Sequence, residues 1–254
     1  MTSPEPIGEL IEGVVRRAAS LGPLPPGLPF LALDHPSGTA LRLLEGLARR
    51  GIFRKYEHVL DLGAGLGATS RWIADRLGCT AIATAESVAT SRAGRRLTRL
   101  AGLDGQVAHV AAAPEHLPFR DAAFTHVWIV ETLAGVADPE PLLAETRRVV
   151  RPGGYLALQH LVATDGDSGA PAGAHRWQAI LTAAGFADVS LRDVSAEALE
   201  VAPRLLAARQ QLAAAAQRGD TGRSVTDWLE ERSRVATALE RGAGRLVQLI
   251  ARRP

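Results

Sequence analysis

The chain has 254 residues, enough to bury the core of one globular domain. Lysine and arginine together number 29, against 27 for aspartate and glutamate. This near balance does not predict a phosphate-seeking surface and favours no nucleic-acid partner. The single cysteine, Cys79, excludes an internal disulfide and a metal site of paired cysteines, as expected in the reducing cytoplasm. No segment resembles a signal peptide or reaches membrane-spanning length, so a cytoplasmic protein without a membrane span is expected.

The first 56 residues are expected to form a helical cap before the first core strand. Apolar residues at helical spacing predict a helix over residues 7–19, proline and glycine interrupt the chain over residues 22–27, and a second helix is expected over residues 39–50. The loop between them, residues 30–38, either closes over a ligand or only caps the sheet.

Residues 59–70, VLDLGAGLGATS, predict a strand, a tight glycine turn and a helix N-terminus. Glycine suits this turn because a strand reversing into a helix uses backbone angles that a Cβ disfavours, and because a ligand can approach bare backbone. The spacing would formally fit the pyrophosphate of a dinucleotide. Asp61 argues against that ligand, because its carboxylate would repel a pyrophosphate and attract a ligand that carries an ammonium and a sulfonium.

The segment 61–67, DLGAGLG, resembles motif I of the class I S-adenosylmethionine-dependent methyltransferases. Further segments resemble the same family in the same order, namely LPF at 117–119, RPGGYL at 151–156 and ARRP at 251–254. The resemblance extends over residues 39–254 and is closest to the tocopherol and sarcosine types, which act on small molecules. It implies that the methionine part of S-adenosylmethionine is held by the turn residues Asp61, Gly63, Ala64, Gly65 and Gly67.

The residue expected to bind the cofactor's ribose departs from the family pattern. The family's acid at the end of the second strand corresponds to Ala85, and Glu86 follows one place later, before Ser87. Neighbouring residues of a strand point to opposite faces, so Glu86 reaches the ribose only if the strand has already ended. Otherwise Glu86 is a solvated loop residue. Ser87 is also expected to cap the next helix.

The loop expected around the adenine shows a second departure. Ala113 stands where the family has an aspartate that accepts a hydrogen bond from the adenine amino group. The resemblance leaves adenine binding to backbone groups around Pro114 and Glu115, or to the Glu115 side chain. It also places Val130, at the end of the predicted fourth strand, beside the cofactor.

Two residues are candidates for catalysis. Glu131 follows the apolar strand predicted over residues 124–130, and ligands of open α/β sheets bind outside the carboxyl ends of strands. The resemblance agrees, because the tocopherol and sarcosine types carry a carboxylate here, although several relatives have a histidine where Gly135 stands. His160 is expected to close the fifth strand on the same rim, where it would be a general base or a hydrogen-bonded structural histidine.

Strands alternate with helices, which predicts an α/β fold with a doubly wound, mostly parallel, seven-stranded Rossmann-like sheet. The expected organisation is a helical cap over residues 1–56, a cofactor-binding core over 57–194, a helical lid over 195–242 between strands six and seven, and the final core strand over 243–254. The lid follows from the resemblance and would present Trp228 and Leu229 either inward or to the core. Pro203 is expected to interrupt its first helix.

The predicted function is methyl transfer from S-adenosylmethionine to oxygen, nitrogen or carbon of a small, apolar metabolite of secondary metabolism, with S-adenosylhomocysteine as product. No metal is expected, and a homodimer is left open. The alternative is a methyltransferase fold that has lost methyl transfer and acts as a cyclase or a binding subunit, which the missing acids at Ala85 and Ala113 motivate. A nicotinamide-dependent oxidoreductase is disfavoured by Asp61. A nucleic-acid methyltransferase is disfavoured because residues 131–134, ETLA, lack its signature.

Overall fold

The structure, a computed structural model, describes residues 45–46, 56–133, 136–164, 172–216, 230 and 233–254. The strands in these ranges are β1 (His58–Leu62), β2 (Thr80–Ala85), β3 (Val107–Ala111), β4 (Phe124–Val130), β5 (Val150–Ala163), β6 (Ala187–Asp193) and β7 (Gly244–Arg252). The helices are α1 (Ala68–Leu77), α2 (Val88–Leu100), α3 (Glu140–Val149), α4 (Ala172–Ala183), α5 (Ser195–Ala216) and α6 (Arg234–Glu240).

The seven strands form one sheet in the order β3-β2-β1-β4-β5-β7-β6. Strands β1 to β5 are parallel, and β7 runs antiparallel between β5 and β6. The strand order reverses between β1 and β4, so the crevice for a ligand is expected at their carboxyl ends. The predicted α/β fold with a mostly parallel, doubly wound sheet is confirmed.

The two faces of the sheet are covered by different helices. Leu60 of β1 belongs to an apolar cluster with Leu143 of α3 and Leu181 of α4, and we call this side the α4 face. Val59 belongs to a second cluster with Ile73 of α1, and we call this side the α1 face. Alternation along β1 therefore directs Asp61 to the α1 face.

Strand β5 extends beyond His160, which was expected to close it. It continues to Ala163 because it pairs with β7 over nine consecutive residue pairs, the last being Ala163 with Gly244. His160 therefore lies within the strand, and the prediction that it closes β5 is wrong.

Helix α5 is the second element that differs from its prediction. Pro203 lies inside the helix and does not interrupt it. Proline in a helix interior costs about 3 kcal/mol, which tertiary packing can offset. Ala198 and Ala202, which both precede Pro203 in the helix, are buried, and Ser195 at the helix start accepts a 2.9 Å hydrogen bond from the backbone N–H of Leu246. Contacts of this kind fix α5 against β7.

The helices α5 and α6 lie between β6 and β7 in the chain, where the insertion was expected. The residues between α5 and α6, apart from 230 and 233, lie outside the described residues and include Trp228 and Leu229, and so does the predicted cap apart from residues 45, 46 and 56. The division into cap, core, lid and final strand, with boundaries at residues 56, 194 and 242, therefore stays a prediction. Within the described ranges no helix is long and apolar enough to cross a bilayer.

Candidate active site

The loops that leave β1, β2, β3 and β4 meet at one edge of the sheet, because these strands are adjacent and parallel. The sequence-predicted binding residues follow these strands, and this edge brings most of them together. They are the turn 63–67 after β1, Glu86 and Ser87 after β2, Ala113, Pro114 and Glu115 after β3, and Glu131 after β4.

The turn after β1 has the backbone that its glycines predict. Gly63, Gly65 and Gly67 have φ angles of 69°, 57° and 79°, and Gly67 caps α1. The N–H of Gly63 donates a 3.0 Å hydrogen bond to the hydroxyl of Thr84. Residues 63–65 are only partly buried, so a ligand can reach this part of the turn.

Two of these glycines are required by contacts within the protein. A Cβ at Gly63 would lie 2.6 Å from Cγ2 of Thr132, and a Cβ at Gly67 would lie 2.5 Å from Cε1 of His109. Sequence reasoning explained the glycines by the turn and by the approach of a ligand. The structure adds that Thr132 and His109 pack directly against the turn.

His109 is part of a small polar network beneath the turn. Its Nε2 lies 2.7 Å from Oγ1 of Thr98, and Cε1 would also lie 2.6 Å from a Cβ at Gly94 in α2. Arg71 donates a 2.6 Å hydrogen bond to the carbonyl of Leu66 in the turn. Sequence analysis did not identify this network, although a glycine inside a helix is costly and can mark such a close approach.

Asp61 lies beneath the turn and is 2 % exposed. Its Oδ2 accepts a 2.7 Å hydrogen bond from the hydroxyl of Ser70, in the first turn of α1. The N-terminal end of a helix favours negative charge, so Asp61 already occupies the electrostatic position that a pyrophosphate would need. This arrangement fits a positively charged ligand group better than a dinucleotide.

Glu86 can reach the ribose only if strand β2 has already ended, and this condition is met. Strand β2 ends at Ala85, and Glu86 follows it as an exposed residue at the site edge. The hydroxyl of Ser87 accepts hydrogen bonds from the N–H groups of Ala89 and Thr90, so the predicted helix cap is confirmed. Ribose binding by Glu86 and Ser87 stays a prediction.

The loop after β3 is tied to α3. The N–H of Leu117 donates to Glu145, and Arg148 donates to the carbonyls of Leu117 and Phe119 at 3.0 and 2.7 Å. Arg148 also pairs with Glu145, which lowers the pKa of that carboxyl below its usual range. These contacts hold the segment with exposed Ala113 at the site edge. The two α3 residues were not identified from the sequence.

Glu131 adopts an unusual backbone conformation, with φ of 60°. Its N–H donates a 2.8 Å hydrogen bond to the carbonyl of Gln159, and its carboxylate accepts a hydrogen bond from the Gln159 side chain. Gln159 has the same strand parity as Ala157, which belongs to the α1-face cluster. Glu131 is therefore held on the face that also carries Asp61. Val130, just before it, is 6 % exposed.

His160 lies on the other face of the sheet. It has the parity of Leu158 and Val162 of the α4-face cluster, and its ring meets that of Trp177 edge to face at 5.2 Å. Burial lowers its pKa to about 4. The structure thus does not bring His160 together with Glu131, because neighbouring residues of a strand point to opposite faces. Within the described ranges, no group of His, Cys, Asp and Glu side chains is placed to hold a metal ion.

Buried histidines predict a loss of stability in mild acid. Burial lowers the pKa of His109 to about 4 and of His126 to about 3, assisted by Arg71 and Arg151 respectively, as burial lowers that of His160. The unfolded chain binds these protons near pH 6.5. The free energy of unfolding therefore has its highest value above pH 6.5 with respect to these histidines. It falls as the pH is lowered towards 4, and each histidine contributes at most about 1.4 kcal/mol per pH unit to this fall.

Urea denaturation at pH 7 and pH 5 measures this loss, which we expect to amount to several kcal/mol in total. The variant His160→Phe removes one of the three contributions and is expected to show a shallower pH dependence. Equal free energies of unfolding at the two pH values would contradict the prediction.

Comparison with known proteins shows what the central part of the chain is similar to. Residues 60–158 match the family model described as "Methyltransferase domain". The methyltransferase GfsG of Streptomyces halstedii is 30% identical over 131 residues, which are 52% of this chain and 47% of GfsG. A sarcosine/dimethylglycine N-methyltransferase of Halorhodospira halochloris is 35% identical over 97 residues, 38% of this chain and 35% of the relative. The chain thus spans less than half the length of these relatives.

Among solved structures, the [4+2]-cyclase SpnF superimposes with a TM-score of 0.65 and 25% identity, covering 84% of this chain and 81% of SpnF. The matched residues 60–158 include the glycine turn, Glu86, the loop after β3 and Glu131. Over residues 60–158 the chain is therefore similar to the class I S-adenosylmethionine-dependent methyltransferases.

Proposed function

We propose that the protein binds S-adenosylmethionine at the carboxyl edge of β1 to β4 and transfers its methyl group to oxygen, nitrogen or carbon of a small molecule. The observation that carries this proposal is the pairing of an accessible glycine turn with a buried carboxylate, Asp61, at the start of α1. That carboxylate favours a cofactor with positive charge. The family match over residues 60–158 supports the same activity.

The bound cofactor supplies a methyl group on a positively charged sulfur, which leaves as the neutral sulfide of S-adenosylhomocysteine. Asp61 contributes negative charge beneath the methionine part, and the polar groups of residues 63–65 contact it. Glu86 and Ser87 are assigned to the ribose, and backbone around Pro114 and Glu115 to the adenine. The remaining tasks of the protein are alignment of the acceptor and removal of its proton.

We assign the substrate to small, apolar metabolites of the secondary-metabolism type. Helix α5 reads SAEALEVAPRLLAARQQLAAAA and is dominated by alanine and leucine, which suits an apolar ligand if this insertion covers the site. The relatives include an N-methyltransferase of sarcosine, so a small acceptor has precedent in the family. The near balance of basic and acidic residues favours no nucleic-acid partner, and the single cysteine suits the cytoplasm.

Calorimetric titration of the purified protein with S-adenosylmethionine, S-adenosylhomocysteine and NAD tests the cofactor assignment. Micromolar binding of the first two, with no binding of NAD, is the expected result. Transfer of labelled methyl from S-adenosylmethionine to a panel of small phenols, alcohols and amines then tests the activity. Failure to bind either adenosyl compound would reject the proposed function.

A second function is favoured by one comparison. SpnF is named a [4+2]-cyclase, and it shares 25% identity over most of this chain. The replacement of two family acids by Ala85 and Ala113 removes two expected contacts to the cofactor, which suits a protein of this fold that has lost methyl transfer. Weak or absent binding of S-adenosylmethionine, together with conversion of a polyene to a cyclic product, would support this second function.

A further inference from the structure

Three polar side chains, those of Glu131, Gln159 and Gln248, form a row across the middle of the sheet. Gln159 of β5 is in register with Val130 of β4 on one side and with Gln248 of β7 on the other. Glu131 follows Val130 directly. All three side chains are on the α1 face, because Gln159 and Gln248 share the parity of Ala157 and Ile250 in its cluster.

The hydrogen bonds of this row all run in one direction. Gln248 Nε2 donates a 2.8 Å hydrogen bond to Gln159 Oε1, and Gln159 Nε2 donates to Glu131 Oε1. Each glutamine thus offers its carbonyl away from Glu131 and its N–H groups towards it. Successive amides polarise one another, so the row strengthens the bond that the carboxylate receives.

The row is costly to build, which argues for a specific use. Gln159 and Gln248 are 0 % and 5 % exposed, in a part of the sheet where apolar side chains would pack without polar groups to satisfy. Glu131 adds a left-handed backbone conformation, which for a residue with a Cβ costs about 1–2 kcal/mol. Such costs concentrate at functional sites, where a side chain must be aimed in one direction.

We infer that Gln159 and Gln248 are positioning residues, which hold the Glu131 carboxylate as the acceptor for an O–H or N–H group of the methyl-accepting molecule. This inference rests on the proposed function and narrows it to substrates that carry a hydrogen-bond donor at the methylated atom. A carboxylate has about four acceptor sites, so the bond from Gln159 leaves capacity for a donor from the substrate.

The chemistry of the row suits proton removal. As the oxygen or nitrogen of the acceptor forms its bond to the methyl carbon, the bond from that carbon to sulfur breaks and sulfur keeps the electron pair. The proton of the acceptor passes to the Glu131 carboxylate. Glutamine amides do not titrate, so they orient Glu131 without competing for that proton. An alkene acceptor would instead leave the carboxylate facing an apolar group, which is unfavourable.

The test uses the full chain with Glu131→Gln, Gln159→Met and Gln248→Met, and with Gln178→Met on α4 as a matched control. S-adenosylhomocysteine titrations are expected to agree within threefold for all variants, because none of these residues lies in the glycine turn. Methyl transfer is measured with catechol, 2-naphthol and benzylamine as donor-bearing acceptors, and with 2-methoxynaphthalene and limonene as acceptors without O–H or N–H.

We expect transfer to the donor-bearing acceptors only. Glu131→Gln should lower kcat at least 100-fold, Gln159→Met about 10-fold and Gln248→Met about 5-fold, with KM changed less than kcat, whereas Gln178→Met should match the wild type. Because Gln248 acts through Gln159, the double variant Gln159→Met/Gln248→Met should be no slower than Gln159→Met alone. If the row only stabilised the sheet, the substitutions would lower the free energy of unfolding without producing this pattern in kcat.

A second readout needs no turnover. In protein labelled with 15N-glutamine, the side-chain amide signal of Gln159 should shift in both Glu131→Gln and Gln248→Met and stay unchanged in Gln178→Met. The inference would be overturned by an unchanged Gln159 signal, by methyl transfer to limonene, or by a kcat that does not respond to Glu131→Gln. It would also be overturned if protein that binds S-adenosylhomocysteine methylated none of the donor-bearing acceptors. Absence of cofactor binding would reject the proposed function instead, while the amide signals still test the row.

Discussion

Gly67→Ala is expected to lower the affinity for S-adenosylhomocysteine at least 10-fold and the free energy of unfolding by about 2–5 kcal/mol. Two effects combine at this position. The φ of 79° disfavours any residue with a Cβ, and the new methyl group would lie 2.5 Å from Cε1 of His109. The imidazole cannot retreat, because Gly94 lies against the same Cε1 and Thr98 holds Nε2. The turn must move instead. Calorimetry and urea denaturation measure the two losses.

Two variants separate these effects. Gly102 has a φ of 70° and open space around its position, so Gly102→Ala carries the backbone strain alone. It should cost about 1 kcal/mol and leave S-adenosylhomocysteine binding unchanged. In the double variant Gly67→Ala/His109→Ala the clash is removed, and affinity should recover several-fold over Gly67→Ala. Full affinity in Gly67→Ala would show that the turn is not held by His109.

Asp61→Asn is expected to weaken S-adenosylmethionine binding about 10- to 100-fold, which corresponds to about 1.4–2.7 kcal/mol. Asparagine is nearly isosteric and its carbonyl can still accept the hydrogen bond from Ser70, so the fold should be retained. The negative charge is lost, and one acceptor oxygen becomes an amide N–H donor. S-adenosylhomocysteine lacks the sulfonium charge, so its affinity should fall less than that of S-adenosylmethionine. Calorimetric titration with both compounds measures the difference.

The control for this substitution lies on α1, the helix that Asp61 contacts through Ser70. Asp75 is exposed on α1. Asp75→Asn removes the same charge, but water screens that charge, so its loss has little effect on the cofactor. Its affinity for both compounds should equal that of the wild type. If Asp61→Asn bound S-adenosylmethionine normally, Asp61 would serve only to anchor α1 through Ser70.

The fold was largely predictable from the sequence because its signals are local. The apolar run 124–130, the glycine turn after Asp61 and the cap at Ser87 each depend on neighbours in the chain, and the structure has β4, the turn and the α2 cap as expected. The end of β5 was predicted wrongly because it is set by pairing with β7, some 80 residues later. Pairing of that kind leaves no local mark in the sequence.

The site was predictable only in part, for the same reason. The predicted strand ends placed Asp61, Glu86 and Glu131 at one edge of the sheet, because the sequence near each residue shows where along a strand it lies. Which face a side chain points to depends on strand parity within the sheet, and this separated His160 from Glu131. The bond from Gln248 to Gln159 joins residues 89 positions apart, and sequence periodicity carries no information on such a pair.

The position of β7 has a consequence for biosynthesis. It is the last strand of the sheet to leave the ribosome, yet it lies between β5 and β6 and not at an edge. Until residues 244–252 have been made, β6 has no strand partner, the inner edge of β5 is open, and Gln159 lacks the amide that orients it. Nascent chains that stop short of β7 therefore expose two unpaired edges to chaperones, and they lack the complete row beside Glu131.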